Sequence, residues 1–247
     1  MSPRPMIMGT IMGMGTPMTI PMGTCTGTRM STRMNTERDI LTLAQWLSPA
    51  FPVGAFAYSH GLETAIHAGV IASSQDLQGW LADVLEHGSG RNDCLLLHAA
   101  FRAPEAELAH VNEMALASAA SAERLLETQL QGAAFCQTAA AIWGGKVTEL
   151  AYPVAVGAAA ARLNIDPVLT AAMYLQSFAS NLVSAAVRAV PLGQTEGQRT
   201  LAALMPLCTR IARDTAAQTL DDLHSTAFLS DIAAMCHETL QPRIFRS

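Results

Sequence analysis

From residue 35 onward the apolar residues recur at helical spacing. Leu77, Trp80, Leu81, Val84 and Leu85 fall at i, i+3, i+4, i+7 and i+8, a pattern that only an α-helix gathers onto one face. Ile40, Leu41, Leu43, Ala44 and Leu47 form a similar stripe, ended by Ser48-Pro49. Residues 121–142 read as one long helix carrying Leu125, Leu126, Leu130, Phe135 and Ile142. Leu175, Phe178, Leu182 and Ala186 mark another over about 167–189. No run alternates convincingly with period two. The expectation is therefore all-α: a single-domain bundle of about nine or ten helices.

Prolines, glycines and small polar residues punctuate this pattern. SPAFPVGA (48–55) is a turn-rich loop, with Phe51 and Phe56 expected to be buried. A short helix follows at about 59–68, stopped by Gly69. Ser73 or Ser74 caps the next helix, Asn92 caps a fourth running to about Phe101, and Pro104 opens a fifth. Trp143-Gly144-Gly145 breaks the chain before a helix at about 153–162. Asp166-Pro167 starts the next, and Thr195-x-x-Gln198 reads as a capping box for one reaching about Gln218. A last short helix is expected at about 226–239. Residues 240–247 show no helical period and read as a flexible tail. Residues 1–34 hold nine of the 13 methionines among Gly, Thr and Pro, with no Asp or Glu. That segment is expected to have no folded structure, and Met34 is a candidate true start. Its Gly/Pro/Thr spacing breaks any signal peptide.

Half of the chain is apolar and only 14% is charged, against about 25% in ordinary globular chains. Membrane insertion would explain this, but a spanning helix needs about 20 apolar residues in a row. The longest weakly polar stretch, residues 151–161, ends at Arg162. Fifteen basic residues against 20 acidic ones, without a Lys/Arg cluster, argue against nucleic-acid binding. Five scattered cysteines with no CxxC pair exclude zinc ribbons and suggest reduced thiols in a cytoplasm.

Several catalytic signatures are approached and missed. Gly144-Gly145-Lys146-Val147-Thr148 places its hydroxyl one residue too late for a P-loop. His237-Glu238-Thr239-Leu240-Gln241 has Gln241 where a zinc-protease motif needs its second histidine. Gly88-Ser89-Gly90 lacks the spacing of a nucleophile elbow. Cys94 and His98, at i and i+4, are half of a metal site, and a buried thiol beside a packed histidine is the weightier reading. Glu63 and His67 share a helix face, where a surface hydrogen bond accounts for them. The residues point away from catalysis and towards a helical interaction protein.

Four segments, in order, resemble the urease accessory protein UreF family. They are LAQWLSPAFPVGAFAYSHGLETAIHAG (43–69), QLQGAAFCQ (129–137), SNLVSAAVRAVPLGQTEGQR (180–199) and HETLQPRIFRS (237–247). The resemblance covers residues 37–247 and implies an all-helical, cytoplasmic, non-enzymatic protein. It implies a homodimer that binds UreD (also called UreH), recruits the GTPase UreG and docks on apo-urease. Nickel would pass through that complex, with no cofactor or metal resident in this chain. Glu63 matches the family glutamate after Gly-Leu, and Arg188 the basic residue before the Pro-Leu-Gly turn. Arg243, Ile244, Phe245, Arg246 and Ser247 match a tail expected to order against UreD, with Ile244 where Leu is usual. The face carrying Glu63 and His67 is a candidate surface for the GTPase. Two competing readings stand beside this one. One is a helical metal-binding protein or enzyme using Cys94 and His98. The other is a GTPase activator with Arg188 as arginine finger.

Overall fold

Local capping chemistry sets where the helices begin. Thr36 and Asp39 exchange hydrogen bonds to form a capping box for α1 (Glu37–Trp46). Ser73 and Asp76 do the same for α3 (Ser74–His87), after the short α2 (Leu62–His67). α4 (Ser89–Arg102) and α5 (Leu108–Ala117) start without a side-chain cap. Ser121 caps α6 (Ala122–Trp143), and α7 spans Tyr152–Leu163. Asp166 caps α8 (Pro167–Ala189), with Pro167 pre-set for the first turn. α9 (Gln194–Asp214) and α10 (Phe228–His237) complete the order. This computed structural model describes residues 36–247; the reading of residues 1–34 lies outside them. The described residues are one all-α domain without strands.

Several expected starts shift, among them that of the short helix, which begins at Leu62 rather than near 59. Asn92 lies inside α4, its amide oxygen turned to the His224 N–H. Pro104 opens a turn, and helix resumes only at Leu108. The box expected at Thr195 and Gln198 sits two residues earlier: the Glu196 carboxylate accepts the Gly193 N–H at 3.1 Å.

α4 lies at the centre, packed on α3, α7 and α8, while α8 also packs on α9. An unbroken run from Cys94 to Ala100 is buried. A second cluster joins α1 to α6. Trp46 meets Phe135 and Trp143 edge-on at 5.4 and 5.5 Å, and Phe51 leans on Phe135 at 5.5 Å. Phe56 departs from expectation and is 64% exposed, on a 3₁₀ turn (55–57) held through its carbonyls by Asn181, Arg188 and Arg246 and burying none of its residues. Gly132 lets the chain entering α7 cross α6: a Cβ there would lie 1.8 Å from the Leu150 carbonyl oxygen. Among the described residues no helix is long and apolar enough to cross a membrane.

Candidate partner-docking site

The tail is not the free segment that its lack of helical period suggests. It lies along α2 and the 55–61 loop, pinned by backbone bonds the sequence cannot show. Glu63, on the first turn of α2, is 1% exposed. Its Oε1 accepts the Ile244 N–H at 2.7 Å and its Oε2 the Phe245 N–H at 3.0 Å. Arg246 N–H donates to the Ala57 carbonyl at 2.8 Å, and Ser59 N–H to the main-chain oxygen of Ser247 at 2.6 Å. Burial alone would raise the Glu63 carboxyl. The His237 ring and the two tail amides outweigh it and hold the group below its ordinary value.

His237, at the end of α10, is fully buried between two carboxylates. Its Nε2 meets Glu63 Oε2 at 3.0 Å and its Nδ1 meets Glu123 Oε2 at 2.7 Å. The other Glu123 oxygen accepts from Arg243. α2, α6, α10 and the tail are thereby tied by one polar chain. Glu63 and His67 do not form the surface pair expected of them. Glu63 turns inward, so it presents no face to a partner, and His67 alone is exposed. Spacing within one helix could not show that the carboxylate's partners lie 174 and more residues away.

Phe245 is buried at 4% exposure, with the Arg188 guanidinium 4.7 Å above its ring. Arg188 also donates to the carbonyls of Phe56 at 2.9 Å and Ser184 at 3.2 Å. That guanidinium braces the tail. The tail's two apolar residues therefore differ in role, since Ile244 is 71% exposed and Phe245 anchors into the domain. α10 adds Phe228, Leu229, Ile232 and Met235, each more than half exposed. They lie opposite its buried Ala233, Ala234 and His237.

Sequence reasoning missed a second buried cluster. Glu127 on α6 accepts from Arg124, from Gln131 Nε2 at 2.8 Å and from Ser247 Oγ at 3.0 Å, and lies 2.9 Å from His60 Nε2. Burial pushes its pKa up, but Arg124 and His60 win and bring it down to about 2. Asp93 on α4 accepts from the Tyr174 hydroxyl at 2.8 Å. The sequence offers only a slight signal: Glu127 and Gln131 share a helix face with Phe135.

Cys94 and His98 are not brought together as ligands. The thiol points to the Ala171 carbonyl on α8, and His98 Nε2 bonds the Ala212 carbonyl on α9 at 2.9 Å. Among the described residues no three His, Cys, Asp or Glu side chains gather as a metal site.

Residues 71–205 match the UreF family model. The urease accessory protein UreF of Ruegeria pomeroyi is 53% identical over 212 residues, covering 85% of this chain and 98% of that protein. That of Roseobacter denitrificans is 51% identical over 207 residues, covering 84% and 93%. That of Jannaschia sp. is 48% identical over 208 residues, covering 84% and 94%. With a family model over more than half of its length and relatives aligned nearly end to end, the chain belongs to the UreF family of urease accessory proteins.

Proposed function

We propose that this chain is a non-enzymatic scaffold that bridges UreD (UreH) and the GTPase UreG on apo-urease while nickel is inserted. It acts in the cytoplasm as a homodimer. Nickel is cargo of the assembled complex, and no residue of this chain holds it as a cofactor. The observation that carries this reading is the tail, fixed at its backbone yet presenting Ile244 outward. A segment ordered in advance costs less conformational entropy on binding. Ile244 is the apolar knob, with Arg243 and Arg246 as flanking cations. The exposed apolar face of α10 extends the surface offered to UreD, and contiguous exposed apolar groups mark such faces. His67 remains available to the GTPase, whereas Glu63 and Arg188 act through the tail they hold.

Deleting Pro242–Ser247 tests this reading. Capture of UreD by the full-length chain is expected to be lost, with the helical content retained. Undiminished co-purification would overturn the tail assignment.

A further inference from the structure

We propose that Glu127 is a positioning residue for partner capture, fixing the end of the tail from inside the domain through Ser247 and through His60. This rests on the tail being the docking segment.

Four groups converge on this carboxylate, itself 3% exposed: Arg124, Gln131, His60 and the Ser247 hydroxyl. Arg124 and Gln131 lie on the same helix as Glu127. His60 and Ser247 come from segments far apart in the sequence. A buried ion pair adds little to stability compared with apolar packing of equal volume, so its geometry has to be explained by something else.

The turn at 59–61 supplies that reason. His60 has φ of 55°, a left-handed conformation that is unfavourable for a residue with a Cβ. Gly61 follows at φ 74° with α10 directly against it: a Cβ there would lie 2.5 Å from the Ala234 nitrogen. Such strain persists only where surroundings over-determine it. The His60 ring is held edge-on by Phe178 at 4.6 Å and from its other side by Arg124 and Glu127. The reward for the strained turn is at Ser59, whose N–H and hydroxyl both donate to the main-chain oxygen of Ser247. Glu127 thus fixes the turn that grips Ser247 and grips the Ser247 hydroxyl itself. Two residues upstream, Phe245 enters its pocket in the register that leaves Ile244 outward.

Burial and the neighbouring Arg124 lower the His60 pKa against the pull of Glu127, so the ring is neutral and carries one N–H. Nε2 faces both an Arg124 donor and a Glu127 acceptor, while Nδ1 is buried with no partner. Either tautomer leaves one of these groups unmatched. A ring placed for packing alone would not need to sit there.

The test measures the dissociation constant of the full-length chain for UreD in a double-mutant cycle, with tail amide exchange read in the free chain. Glu127→Gln is expected to weaken capture roughly tenfold, and Ser247→Ala about threefold or more. The double variant is expected to be no weaker than Glu127→Gln by more than about twofold, because both remove one shared link. Both single variants should speed exchange at residues 244–247. Capture within about twofold of the parent for Glu127→Gln, or losses that multiply, overturns the inference. If Glu127→Gln does not fold, Ser247→Ala decides: unchanged capture with unchanged exchange overturns it. Removing Pro242–Ser247 separates the two readings. Capture that survives the deletion sinks the docking segment, whereas capture lost there but kept in both point variants sinks Glu127 alone.

Discussion

Asp93 shows how one half-buried acid can work against its own fold. Burial raises its pKa from 3.8 to about 6, with Arg124 and the Tyr174 hydroxyl pulling back. A folded-state pKa above the unfolded value makes the ionised form the costly one. The cost appears as pH rises from about 3.8, is complete above about 6, and is absent at lower pH. Asp93→Asn keeps the shape and leaves Tyr174 an acceptor. It is expected to stabilise the chain by about 1–3 kcal/mol at pH 7.5 and by nothing at pH 3.5. Denaturant midpoints at the two pH values check this. A loss of stability at pH 7.5 would mean that Arg124 depends on the ionised form. No neighbouring residue in sequence signals any of this, since Tyr174 and Arg124 reach Asp93 from other helices.

At the scale of a helix, α6 carries the clearest departure from its sequence pattern. Leu126, Leu130 and Ile142 read as core, yet they are 55%, 46% and 56% exposed. The inward face is Glu127, Gln131, Phe135 and Ala139, at strict i, i+4 spacing. Replacing Leu126 and Leu130 together by Gln should therefore leave stability within about 0.5 kcal/mol of the parent. Phe135→Ala, which opens the Trp46 and Phe51 cluster, should cost about 3–5 kcal/mol. A large loss in the leucine pair would put those side chains in a core. Helix existence is legible because caps and breakers act locally: Ser73 and Asp166 cap where expected. Burial was legible only where the packed face was also the apolar face, as in α3 and α8. In α6 polar partners come from distant segments, so periodicity pointed to the wrong side. The tail was misread for the same reason, because Glu63 meets Ile244 across 181 positions.

Across the whole molecule these buried groups set a pH window. Glu63 and Glu127 both have depressed folded-state pKa values, Glu127 at about 2 against 4.5. Their contribution is complete above the unfolded value of about 4.5 and is lost as pH falls towards the folded value. For Glu127 that amounts to about 3 kcal/mol. His60 acts in the same direction at higher pH. Its lowered pKa means the unfolded chain takes up a proton below about 6.5 that the folded chain refuses. Asp93 opposes His60 over much of that range, since its penalty fades as pH falls through about 6. Between pH 7 and 4.5 the two offset in part, and the profile should be shallow. Below 4.5 the unfolded chain takes up protons at both glutamates that the folded chain refuses, the relief at Asp93 ends near 3.8, and stability should fall steeply. The tail should open before the helices, because Glu63 holds the Ile244 and Phe245 amides directly while the helical core carries few charges. Amide exchange at residues 244–247 against global unfolding, followed from pH 6 to 3, reads both events. Glu127→Gln should flatten the acid limb, because its side chain has no proton to gain. An acid limb as steep as that of the parent would mean that Glu127 is not the group that couples the tail to the fold.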